Sequence, residues 1–137
     1  MSKQLKFKYH IDNTLPGNIK DYIFVFGSNI SGIHGKGAAL EARRIFGAKI
    51  GIGYGLTGQS FAVPTKDKRI ITLPLNEIKK YIDKFITFTH EHSELSFWVT
   101  RIGCGLAGYS NKDIAPLFKQ CNINCNFPIE WKEFLED

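Results

Sequence analysis

A chain of 137 residues suits one domain with a buried core, and 43% hydrophobic against 23% charged residues is the balance of a folded globular protein. No apolar run approaches the length that spans a bilayer, and residues 1–6, Met-Ser-Lys-Gln-Leu-Lys, lead into no apolar signal core, so no membrane partner and a cytoplasmic location are expected. The net charge of +5 and the pI of about 9.1 fit an anionic partner.

Residues 5–10 alternate Leu-Lys-Phe-Lys-Tyr-His, the period of an edge strand. Residues 13–18 are turn material. Residues 22–26 are apolar throughout, as in a central strand covered on both faces. A loop with Gly27, Gly32, Gly35 and Gly37 follows, then a helix from about Gly37 to Phe46 that Gly47 stops. Residues 48–58 carry Gly51, Gly53, Gly55 and Gly58 and read as a flexible loop, a candidate lid. Residues 59–63 read as a strand ended by Pro64, and 69–73 as another short strand. Residues 77–91 place Ile78, Tyr81, Ile82, Phe85, Ile86 and Phe88 at helical spacing. Residues 95–99 have the pattern of a buried strand. A further glycine loop, 101–109, leads into a helix capped by Ser110 or Asn111 and running to about Lys119. A last short strand over 121–127 and a helix over 129–135 complete the chain. The alternation predicts one α/β layered domain over 1–137.

The two strand–glycine loop–helix units, 23–46 and 95–119, set the functional expectation. Glycine lets the backbone approach a ligand, and the free N–H groups of a helix's first turn attract an anion. Ligands of open α/β sheets bind beyond the carboxyl ends of strands, so two such loops side by side make a cleft for two phosphates. The first loop is not a P-loop, because the chain has no Gly-Lys-Ser/Thr at the required spacing, nor a dinucleotide fingerprint, because Gly27, Gly32, Gly35 and Gly37 fall at the wrong intervals. Asn29 can hydrogen-bond a sugar hydroxyl, His34 can contact a phosphate or leaving group, and Lys36 can pair with a phosphate. Lys66, after a strand, is a candidate nucleophile toward an anomeric carbon. Asp67 and Asp113 are the acids nearest the loops in sequence. Cys104, Cys121 and Cys125 lack metal-ligand spacing, so reduced thiols and neither metal nor cofactor are expected. The densest basic groups, Lys3, Lys6 and Lys8 and then Lys66, Lys68 and Arg69, are short and not interleaved with aromatics, so a nucleic-acid platform is not indicated.

Three motifs in order carry a resemblance. Residues 100–106, Thr-Arg-Ile-Gly-Cys-Gly-Leu, resemble a loop of macro domains. Residues 34–39, His-Gly-Lys-Gly-Ala-Ala, running to Phe46-Gly47-Ala48, resemble the first loop and helix of the branch that removes terminal ADP-ribose from glutamate. Val63-Pro64-Thr65-Lys66 places Lys66 where that branch has its nucleophilic lysine. The resemblance covers roughly residues 22–119, and Phe26-Gly27-Ser28-Asn29 is also similar to small macro-like proteins of bacteria and phages.

The resemblance implies a three-layer α/β/α domain with a mixed central sheet that binds ADP-ribose, or an ADP-ribosylated protein or nucleic acid. Gly27, Ser28, Asn29, His34, Gly35, Lys36 and Gly37 would line the distal ribose and its phosphate, with Thr65 and Lys66 beside them. Arg101, Gly103, Cys104, Gly105, Leu106, Ala107 and Gly108 would wrap the diphosphate, and Tyr109 would stack on or cap the distal ribose. Hydrolysis of an ADP-ribosyl linkage would rest on Lys66, Asn29 and His34. One departure is plain: the branch has a catalytic aspartate immediately after Gly-Cys-Gly-Leu, and this chain has Ala107. A non-catalytic ADP-ribose sensor or sponge and a basic nucleic-acid-associated protein are the alternatives.

Overall fold

The computed structural model describes residues 4–137, so Lys3 of the first basic group lies outside the described residues. Its centre is a six-stranded mixed sheet: β1 (Lys8–His10), β2 (Ile23–Asn29), β3 (Gly55–Thr57), β4 (Ser60–Lys66), β5 (Phe97–Val99) and β6 (Cys125–Pro128), in the order β1-β6-β5-β2-β4-β3. All neighbours are parallel except β3, which pairs antiparallel with β4. Helix α1 (Gly37–Ile45) covers one face; α2 (Leu75–Glu91), α3 (Asn111–Ile114) and α4 (Lys132–Leu135) belong to the other side, giving three α/β/α layers.

Strand periodicity divides the core. On β2, Phe24 and Phe26 join Ala42 and Phe46 of α1, while Val25 joins Ile78, Ile82 and Phe85 of α2. Phe61, Val63, Phe97, Val99 and Phe127 share the α2 side; Ala62 and Trp98 share the α1 side. Burying Ile78, Ile82 and Phe85 on α2 contributes about 5–9 kcal/mol of gross hydrophobic stabilisation, which fixes the layer behind the sheet.

Several expectations need correction. Pro64 does not end its strand: β4 runs through it to Lys66, because the register shifts between Ser28 and Asn29 and the proline sits at that irregularity, where a missing N–H is tolerated. Residues 69–73 form no strand; they make one isolated bridge, Lys66 with Thr72. The helix expected to reach Lys119 is α3 followed by a 3-10 turn (Ala115–Phe118), broken by Pro116. The C-terminal helix is likewise split into a 3-10 turn (Ile129–Trp131) and α4. Residues 48–58 are not a free lid: they contain β3, and a Cβ on Gly53 would lie 2.4 Å from the carbonyl oxygens of Asn29 and Ile30, so the segment packs directly on the first glycine loop.

Candidate functional site

The carboxyl ends of β1, β5, β2 and β4 open into one cleft of about 790 Å³. Its first wall is the loop after β2. Asn29 shapes it: its Nδ2 donates to Ile33 O (2.8 Å), and its Oδ1 accepts from Ser31 Oγ (2.8 Å) and Ile33 N (3.0 Å). Gly32 takes a positive φ of 74° and lies so close to Gly51 that a Cβ would sit 2.4 Å from its carbonyl carbon. The chain then enters α1 with Lys36 at the cap position and no side-chain cap. No acidic residue stands in the first turn, and Leu40 N, bonded to Lys36 O, is the first internal donor. The N–H groups of Gly37, Ala38 and Ala39 therefore find no acceptor among the described residues, and all three residues line the cleft.

The second wall follows β5. Thr100 is tied to Val25 O through both its N–H (3.0 Å) and its hydroxyl (2.8 Å). Gly103 turns with φ 77°, and Tyr109 N closes the loop onto Gly103 O at 2.8 Å. Gly105, Leu106 and Ala107 line the cleft, and their N–H groups also lack an acceptor among the described residues. The cleft thus holds two sets of uncommitted backbone donors, one at a helix start and one in a glycine loop.

In the strand order β1 and β4 stand four places apart, about 19 Å at about 4.8 Å per strand, which gives the cleft two ends. At the β1 end, His10 stacks on Trp98 (ring centroids 4.0 Å, interplanar 12°). His10 Nδ1 donates to Asn126 Oδ1 at 2.8 Å, and burial holds its pKa below the ordinary histidine range against the raising effects of Asn126 and Asp12. Asp12 accepts from Arg101 Nη1 at 3.2 Å. Arg101 Nε donates to Asn111 Oδ1 (3.0 Å), which also accepts from Trp131 Nε1 (2.9 Å), so the guanidinium is anchored rather than free. At the β4 end stands Lys66, whose ammonium makes no hydrogen bond or ion pair among the described residues.

Of the expected residues, Gly27, Ser28, Asn29, Gly35, Lys36, Gly37, Thr65, Lys66, Arg101, Gly103, Gly105, Leu106 and Ala107 line the cleft. His34, Cys104, Gly108 and Tyr109 do not. His34 is 1% exposed: it packs edge-on against Phe26, and its Nε2 donates to Lys49 O at 3.1 Å. Tyr109 does not cap the cleft, because its hydroxyl donates to Leu73 O at 2.7 Å. Cys104 packs against the core, and burial pushes its thiol up to about 11. Neither sequence-adjacent acid is free. Asp67 Oδ1 accepts from Arg69 N and Ile71 N, and Asp113 forms a capping box with Ser110. Asn29 lines the cleft with its amide spent on its own loop.

His10, Asp12, Thr14 and Trp98 were not anticipated as site residues. The signal for Asp12 was present: it closely follows the 5–10 strand, and the rule that ligands sit beyond strand carboxyl ends applies to that strand too. Trp98 offered none, since it lies within an unbroken apolar strand. Among the described residues no group of three His, Cys, Asp or Glu side chains is placed to hold a metal ion. Comparison of the chain with protein-family models, with curated proteins and with solved structures returned no match.

Proposed function

We propose that the cleft binds ADP-ribose or a close derivative, as a macro-like domain would, with recognition as its primary task. The observation that carries the reading is that residues 37–39 and 105–107 line one cleft and their N–H groups have no acceptor among the described residues. Such donors match a diphosphate, which brings its own charge and many acceptor oxygens. The Asp12 carboxylate, beside the nearly buried His10–Trp98 stack, offers an acceptor for a base at the β1 end, and Lys66 with Thr65 would meet the distal ribose. Lys36 supplies a cation beside the helix start.

Turnover has less support. Hydrolysis needs a group that moves a proton near the anomeric carbon. Ala107 supplies none, while Asp67, Asp113 and His34 are committed elsewhere. Asp12 belongs to the β1 end and is paired with Arg101; Glu41, exposed on α1, is the other acid lining the cleft. A non-catalytic sensor or sponge is therefore the form of the reading we favour, with hydrolysis of an ADP-ribosyl linkage as the measured alternative.

Calorimetry with ADP-ribose, AMP and NAD tests the reading. ADP-ribose is expected to bind more tightly than AMP because only it engages both donor sets, and no heat from any of the three at millimolar ligand would refute it. Release of ADP-ribose from a modified protein or DNA by the wild type, abolished in Lys66→Ala, would establish turnover. The net charge of +5 favours a nucleic-acid-associated protein as the second reading. Steeply salt-dependent affinity for DNA or RNA without ADP-ribose binding would select it.

A further inference from the structure

The geometry points to an uncharged flat ring as the group attached to the anomeric carbon of the bound ADP-ribose, seated in an apolar collar of Ile33, Ile70 and Leu106 at the β4 end. This rests on the ADP-ribose reading. The three side chains line the cleft yet are 53%, 48% and 70% exposed, so the protein itself leaves them uncovered. They come from three loops that converge on Lys66. Ile30 N donates to Lys66 O at 3.0 Å, which holds the first loop there, and Thr72 Oγ1 donates to Ala107 O at 3.0 Å, which holds the 67–73 turn against the second glycine loop.

Ile70 carries the strongest signal. Its φ is +64°, a left-handed conformation that a β-branched residue rarely adopts. The turn around it is over-determined: Asp67 Oδ1 accepts from Arg69 N and Ile71 N, Asp67 N donates to Ile71 O, and Ile70 N donates to Asp67 O. Glycine or asparagine would fit that backbone without strain, so an isoleucine held there by a carboxylate indicates a use for its side chain. The use consistent with its place is an apolar contact at the cleft mouth.

Charge selects the class of occupant. Lys36, Lys66, Lys68 and Arg69 stand in or beside the cleft mouth without ion-pair partners among the described residues. They favour the diphosphate and oppose a cationic attached group. A charged group of either sign would also lose hydration against the collar. A neutral ring covers more of these side chains than a thin chain does.

The test uses the dissociation constants of ADP-ribose, NADH and NAD, the last two differing in whether the ring is neutral or cationic. NADH is expected to bind on the order of tenfold tighter than ADP-ribose, the return from covering roughly 55 Å² of apolar surface. NAD is expected to lose most of that gain. In Ile70→Asn the melting temperature should rise, because asparagine tolerates the left-handed backbone, while the NADH-to-ADP-ribose affinity ratio falls toward one. Ile33→Ser should lower the same ratio. Equal affinities for ADP-ribose and NADH, or a ratio that neither variant moves, would overturn the inference alone; absence of binding by both ligands would overturn the ADP-ribose reading with it. An unmodified single-stranded oligonucleotide that displaces NADH would assign the ring to a nucleobase, and one that leaves NADH bound would assign it to a dinucleotide.

Discussion

Asn29→Ala separates two roles for a residue that lines the cleft. The side chain makes three hydrogen bonds within its own loop, to Ile33 O, Ser31 Oγ and Ile33 N, and is only 8% exposed. At about 1 kcal/mol each, their loss costs about 3 kcal/mol. Ile33 is more than half exposed, so water can reach its freed backbone groups and brings the expected cost to about 2 kcal/mol. In a urea titration with a slope of about 1.5–2 kcal/mol per molar, the midpoint should fall by about 1 M. Asn29→Asp keeps both acceptor bonds and loses the donor to Ile33 O, so its midpoint should fall less. ADP-ribose affinity should weaken in step with stability, since the loop that leads to the α1 donors is loosened. A midpoint within about 0.2 M of wild type, with affinity or turnover lost, would refute this account and return Asn29 to a direct role on the ligand.

The glycines divide by space: Gly53→Ala puts a methyl 2.4 Å from two backbone oxygens and should cost at least about 3 kcal/mol, whereas Gly27→Ala meets its nearest atoms at 3.6 Å and should change thermal unfolding by under about 1 kcal/mol. Ala38→Asp places a carboxylate on the uncapped start of α1, which should raise stability by about 0.3–1 kcal/mol while weakening ADP-ribose binding at least tenfold in calorimetry. Burial raises the Glu136 pKa, but hydrogen bonds from Lys6 N, Tyr9 and Phe7 N and the charge of Lys132 outweigh it, leaving the carboxyl below its ordinary 4.5. Its stabilising contribution is therefore present above pH 4.5 and lost as pH falls through the lower folded value, so Glu136→Gln should flatten the acid limb of a stability–pH profile. Burial lifts the Cys104 thiol to about 11 from an ordinary 9.0, so native alkylation at pH 8, followed by mass spectrometry, should be about a hundredfold slower than in the unfolded chain.

The parts of the fold visible in the sequence are those where one periodicity dominates. Residues 23–26 have no polar interruption and begin β2, which then runs on through Gly27, Ser28 and Asn29 where a loop was expected, and the 3.6-residue spacing of Ile78, Ile82 and Phe85 becomes the buried face of α2. What stayed hidden depended on contacts between distant residues. Pro64 reads locally as a stop, yet the strand passes through it where the register against β2 shifts. Gly55–Thr57 looks like loop because glycines surround it: Gly55 takes a φ of +90°, and a Cβ on the flanking Gly58 would meet Gly47 O at 2.3 Å. In the site, the backbone features were legible, since a helix start after a glycine loop is a local pattern. The fates of side chains were not. Whether His34 faces the cleft or Phe26, and whether Asp67 faces solvent or its own turn, depends on tertiary placement that no spacing rule encodes.

That division also bears on what the cleft does. Asn29, His34, Asp67, Tyr109 and Asp113 are held by partners within the protein, and Arg101 is held by Asp12 and Asn111. The N–H groups of residues 37–39 and 105–107 and the Lys66 ammonium have no partner among the described residues. Backbone donors fixed between a sheet and a helix lose no rotamer freedom when they meet an anion, and they carry no proton to give or take at neutral pH. A cleft built this way is prepared to hold charge in place. Moving a proton there would call on Lys66, on Glu41, on a water or on a phosphate of the ligand itself, so the alanine at 107, which has no proton to move, bears on any reaction while the backbone donors of its loop bear on binding.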